Sequence, residues 1–238
     1  MKHMDRKEII SKLRANGSRK NVEGMARFGI SSKNTLGVGM PYLRNLARAI
    51  RKEAKKEKDA TGYRHDLALE LWNSKIHEAR IVAVLVDDPD LVTEAQMESW
   101  VSDLESWDLC DQACGNLFDR TEFAYDKAVE WSDRKEEFVK RAGFVLMATL
   151  AVHDKSANDG AFIDFFPYIK KGSADERNFV KKAVNWALRQ IGKRNRILNK
   201  EALKIAKEIR RSDSRSAKWI ASDAIRELEK KKIKLVII

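Results

Sequence analysis

Two cysteines, three prolines and no apolar run of about 18 residues set the first limits on this 238-residue chain. Without such a run, no helix crosses a bilayer. The N-terminal stretch Met1-Lys2-His3-Met4-Asp5 lacks the apolar core of a signal peptide. Met4 is read as a start or a cloning remnant and left out of the expected fold. Cys110 and Cys114 stand four apart on one expected helix, which argues against a disulfide staple and for a reducing cytoplasm. The four histidines, His3, His65, His77 and His153, show no spacing that would complete a zinc site with those thiols. No metal or cofactor is therefore expected. Strict apolar/polar alternation is also missing, so strands do not organise the fold. With only three prolines and 11 glycines, long helices are allowed nearly everywhere.

What is present in excess is positive charge. The formal net charge is +11 and the isoelectric point about 9.6. Such a balance favours a polyanionic partner, most commonly nucleic acid. The 43% of hydrophobic residues suffice for a substantial core. Helical periodicity predicts helices over 5–15, 22–28, 42–58, 63–72, 77–86, 94–104, 108–118, 123–131, 135–152, 161–170, 176–191, 200–209 and 215–229. Residues 29–39, rich in Ser, Asn, Thr and Gly, read as a loop that Pro41 closes by opening the next helix. Thr93 and Asp175 are expected as N-caps. Four segments start alike with a polar or basic residue followed by small and aliphatic ones, at Arg80, Arg141, Lys182 and Ser216. Their starts lie 61, 41 and 34 residues apart; HEAT-type helix pairs run roughly 40–47, so the first gap would need a divergent or split unit. The expected architecture is an all-α, HEAT-like curved solenoid, with one continuous domain over residues 1–238, against the simpler option of an irregular helical bundle. The basic and apolar tail, 230–238, fits either docking on the last helix or dimerisation.

Two segments carry candidate chemistry. In 106–118, helical spacing puts Trp107, Cys110, Asp111, Cys114 and Phe118 on one apolar stripe containing a single carboxylate. Asp108 suits the helix N-terminus. Asp111 is either a structural acid, in an ion pair or cap, or a functional carboxylate that stabilises developing positive charge in an aromatic cleft. In 179–196, Trp186 precedes Arg189, Lys193, Arg194 and Arg196, which suits stacking beside phosphate contact or, equally, a core tryptophan and a solvated helix end. Arg141 opens an apolar helix, where a guanidinium can grip a phosphate or link to an acid such as Asp111.

Taken together, Met25-Ala26-Arg27-Phe28, Leu36-Gly37-Val38-Gly39-Met40-Pro41, Ser106-Trp107-Asp108 with Asp111, Arg141-Ala142, and Lys182-Ala183-Val184 with Trp186, Leu188 and Arg189 resemble the AlkD-like DNA alkylation repair family. The resemblance runs roughly from residue 5 to 229. It implies HEAT-like repeats with a concave basic surface, and hydrolytic excision of positively charged N3- or N7-alkylated purines from duplex DNA. The family pattern of an aspartate, two tryptophans and an arginine falls on Asp111, Trp107, Trp186 and Arg141. Two positions depart from it: Ser106 precedes a single tryptophan, and Phe28 stands where a tyrosine is usual. Either change implies an altered lesion choice or a divergent subfamily with weak or different activity. Expected DNA contacts are Phe28, Arg44, Arg48, Lys181, Lys182, Arg189, Lys193, Arg194 and Lys218. The expected state is a monomer in the cytoplasm, associated with the nucleoid in a prokaryote. The main alternative is a HEAT-repeat protein that recognises bent or damaged DNA without excising a base. A protein-binding scaffold fits the basic balance less well.

Overall fold

The computed structural model describes residues 4–56 and 59–230. Among these residues it is all-helical, with no strand. The helices fall into two compact units, residues 1–121 and 122–238. The expected roles of 230–238 fall almost wholly outside the described residues.

The first unit contains α1 (Arg6–Ala15), α2 (Arg19–Ala26), α3 (Met40–Ala54), α4 (Ala60–Asn73), α5 (His77–Val86), α6 (Glu94–Ser102) and α7 (Trp107–Asn116). Its innermost element is α5, whose residues are all buried except Leu85. A helix apolar on most sides must be covered on most sides, and α1, α3, α4 and α7 all pack against it. Met4, set aside at the sequence level, belongs to this fold. It is 7% exposed, and its carbonyl accepts a 2.8 Å hydrogen bond from the Tyr63 hydroxyl. The second unit contains α8 (Ala124–Ser132), α9 (Glu137–His153), α10 (Asp159–Ile163), α11 (Phe166–Gly172), α12 (Asn178–Arg194), α13 (Arg196–Ile209) and α14 (Arg215–Lys230). Here α9 is the inner element, buried without interruption from Arg141 to Ala151 and packed against α8 and α12. Gly143 lets α8 approach it: a Cβ there would meet the Ser132 amide nitrogen at 2.4 Å.

The expected helices appear, several with ends shifted by three or four residues, as in α2, α3 and α13; two larger changes each have a local cause. The helix expected over 161–170 is split into α10 and α11. Pro167 lies in the first turn of α11, where its missing amide proton is tolerated, whereas a continuous helix would need that donor. The helix expected over 108–118 stops at Asn116. There the Asn116 amide donates to the Gln112 carbonyl, Leu117 leaves helical geometry, and Phe118 passes into a short 3-10 turn. Thr93 caps α6 as expected, accepting from the Gln96 amide at 3.2 Å. Asp175 does not cap α12. It closes a turn ahead of it, accepting from the backbone amide and side chain of Arg177, and Arg177 itself stands at the cap position.

Candidate nucleic-acid interface

In the first unit the site is organised by α7 and the loop after α2. Trp107 opens α7, and Asp111 lies one turn later on the same side. Both are half-buried, while Cys110, Cys114 and Phe118, the other members of the expected stripe, are 0% exposed. The stripe therefore divides: its cysteines and Phe118 face the core, and Trp107 and the Asp111 carboxylate remain partly open. Burial pushes the Cys114 thiol well above its ordinary range, and Cys110, Asp111 and Asp119 push it the same way. Neither thiol forms a disulfide. Among the described residues no cluster of three His, Cys, Asp or Glu side chains is suited to hold a metal.

Trp107 is held by a hydrogen bond from its indole nitrogen to the Phe28 carbonyl, 3.0 Å away. The structure thus joins two sequence candidates that are 79 residues apart in the chain. Phe28 is 69% exposed, the most open large hydrophobic side chain among the described residues. An open cavity of about 590 Å³ lies beside this pair, lined by Met25, Met40, Leu43, Ile81, His77 and Asp108 among others.

Two residues missed at the sequence level, Glu78 and His77, fix this region. The buried Glu78 carboxylate accepts from the backbone amides of Leu36, Gly37 and Val38, at 2.6 to 3.3 Å. The loop turns there because Gly37 adopts φ of +77° and sits where a Cβ would lie 2.2 Å from the Ser18 carbonyl oxygen. His77 Nε2 and Asp108 Oδ2 are 2.8 Å apart. Burial alone would lower the His77 pKa, but the hydrogen bond and charge of Asp108, aided by Glu78, outweigh it and raise the value. Burial pushes the Asp108 carboxyl up, yet His77, Ser106 and the Leu109 amide bring it below the ordinary carboxylate range. A signal existed in part: Glu78 and His77 open α5, but their partners lie 31 to 42 residues away. Arg44 and Arg48 are exposed on α3.

In the second unit Arg141 is 5% exposed on α9 and donates to the Phe179 carbonyl of α12 at 2.6 Å. Trp186 is half-buried on α12. Lys181 lies 5.2 Å from the ring centre of Trp219, which is 43% exposed; Lys182 and Lys218 are exposed. The remaining candidates already have partners within the unit. Arg189 and Lys193 both bind Glu227 on α14. Arg194 donates to the Ala151 and Ala157 carbonyls and packs 4.4 Å from the Phe162 ring centre.

Comparison with known proteins agrees with this architecture. No curated protein matches the sequence. One solved structure belongs to a family described as related to the HEAT-like repeat DNA glycosylases, with affinity for branched DNA structures. It superposes with a TM-score of 0.73 at 21% identity, covering 94% of this chain and 95% of its own. At that identity the likeness shows the fold, an all-α arrangement of HEAT-like repeats. An engineered protein covers 89% of this chain and 99% of its own at 14% identity, with a TM-score of only 0.39. The model of the family described as "DNA alkylation repair enzyme" matches residues 9–228, and the chain belongs to that family.

Proposed function

We propose that this chain is a DNA glycosylase that releases N3- or N7-alkylated purines from duplex DNA. The observation that carries the reading is the division of the α7 stripe, in which Trp107 and Asp111 stay partly open one turn apart while Cys110, Cys114 and Phe118 are sealed. An N3- or N7-alkylated purine is a cation and leaves as a neutral base, so no strong general acid is needed. Its departure leaves an oxocarbenium-like sugar. A carboxylate at Asp111 stabilises that charge and can orient or deprotonate the attacking water. The Trp107 ring favours a cation at its face by about 0.5–2 kcal/mol. Family membership and the net charge of +11 support the same reading. The family pattern extends the assignment to Trp186 and Arg141, and exposed Arg44, Arg48, Lys182 and Lys218, with half-buried Lys181, supply the phosphate contacts. The second reading is a non-catalytic DNA-binding protein, favoured by the fold likeness to a family with affinity for branched DNA.

Measuring released base from duplex DNA carrying N7-methylguanine or N3-methyladenine separates the two. Wild type is expected to release base, and Asp111→Asn to lose about 100-fold or more in rate with unchanged helicity. Binding without release would establish the second reading. Full activity in Asp111→Asn would remove the assignment of the acid.

A further inference from the structure

On α3, Arg44, Arg48 and Arg51 recur at helical spacing and share one face. Arg120 joins them from the 3-10 turn that follows α7. The four guanidinium groups line a single cleft of about 250 Å³, together with Asn116 at the end of α7, Leu85 and Ala47. Among the described residues no carboxylate is paired with any of the four. Arg51 Nη1 is fixed by a 3.0 Å hydrogen bond to the Leu85 carbonyl. Burial, with the charges of Arg64, Arg120 and Arg48, pulls the Arg51 pKa below its ordinary value. Like charges gathered without counter-ions oppose folding, and an arginine fork matches the oxygens of a phosphate in a bidentate grip.

We infer that the Arg44–Arg48–Arg51–Arg120 cleft is a binding site for phosphate groups carrying two or more negative charges. A single diester phosphate would neutralise only one of four cationic groups. The complementary ligands are a phosphomonoester at a strand end, or two successive diester phosphates of one strand. Arg51 is the pre-set member, because its backbone bond orients the guanidinium before a ligand arrives. Arg120 enters from the 3-10 turn that follows α7, the helix that carries Asp111. Identifying the phosphate as part of a DNA strand rests on the proposed function; the anion site itself does not.

The test uses the full chain with sodium pyrophosphate as probe, at ionic strength matched with sodium chloride. Pyrophosphate is expected to raise the melting temperature of wild type and of Lys52→Gln, which removes an exposed charge of α3 that does not line the cleft. Arg120→Gln should abolish the rise. Arg51→Gln should do the same, and because Arg51 also braces Leu85, the Arg120 variant carries the test if the Arg51 variant fails to fold. Anisotropy with 5′-phosphorylated and 5′-hydroxyl duplexes then distinguishes the sources. About fivefold tighter binding of the phosphorylated ends, lost in Arg120→Gln, identifies a strand end. Equal binding of both duplexes, with the log–log salt slope reduced by about 1 in Arg120→Gln, identifies successive backbone phosphates. No pyrophosphate response in wild type, or an equal loss in Lys52→Gln, overturns the site. None of these readouts depends on base release, so the inference can fail while the glycosylase reading stands, and the reverse.

Discussion

Helices α3 and α12 are comparably basic, yet the two units hold those charges differently. On α3 of the first unit, Arg44 and Arg48 are exposed, and among the described residues neither has an ion-pair partner. On α12 of the second, Arg189 and Lys193 converge on Glu227, and Arg194 is bonded to two backbone carbonyls. A count of positive residues therefore overstates what the second unit offers a polyanion. A phosphate approaching Arg189 must first displace a carboxylate, whereas at Arg44 it displaces only water. The units are alike in their inner helices. In each, a buried arginine near the helix start is held by main-chain oxygens. Arg80 donates to the Trp72 and Asp103 carbonyls and to the Asp103 carboxylate; Arg141 donates to Phe179.

That likeness yields the largest expected effects. Arg80→Ala is expected to cost about 3 kcal/mol in denaturant unfolding, since it strands buried acceptors and removes the guanidinium stacked 4.9 Å from the Trp72 ring centre. Arg141→Ala is expected to cost about 2 kcal/mol, because it removes a buried guanidinium and strands the part-buried Phe179 carbonyl. If Arg141 also acts in excision, base release should fall further than the unfolded fraction explains. A rate loss matching the loss of folded protein would make Arg141 structural only, and the parallel with Arg80 would be complete.

A smaller change would break the contrast between α3 and α12. Glu227→Gln removes the acid shared by Arg189 and Lys193. Duplex DNA is expected to bind roughly three- to fivefold more tightly, with a salt slope steeper by about 1. The stability cost is about 1 kcal/mol or less, because the cluster is partly exposed. Unchanged affinity and slope would show that α12 stays away from the nucleic acid.

This contrast also marks where the sequence stops being legible. Elements whose causes are local could be read: the α6 cap at Thr93 and all ten residues of α5. The same holds for the pairing of Trp107 with Asp111 on one side of α7, which needs only helical spacing. Pairing across long separations could not be read. In sequence Arg189 and Arg44 look alike, and only the fold brings Glu227, 38 residues on, against Arg189. The α3 face at 44, 48 and 51 was visible as a period, but Arg120 enters the cleft through a turn that no periodicity announces. Glu78 is the sharpest case. A carboxylate at a helix start reads as a dipole-stabilising surface residue, and it is instead the buried anchor of a loop some 40 residues away.

The smallest expected effect is a pH response of opposite sign in the two units. In the first, the His77 pKa is raised, against burial and the opposing charge of Arg80, by Asp108 and Glu78. Its stabilisation is fully present below the ordinary histidine value of about 6.5 and is lost as pH rises through the higher folded-state value. In the second, burial pushes the Asp175 carboxyl up, but Arg177 and Lys140 hold it down at about 2. Its stabilisation is present above about 3.9 and is lost as pH falls toward 2. The first unit is thus sensitive to base through this pair, and the second to acid. Comparing unfolding free energies, the advantage of wild type over His77→Gln should shrink between pH 6 and 9. The advantage over Asp175→Asn should stay constant there and shrink only below about pH 4, by about 1 kcal/mol because the groups around Asp175 are partly exposed. A His77 advantage that grows with pH would mean the imidazole is held neutral, and the ion pair with Asp108 would have to be abandoned.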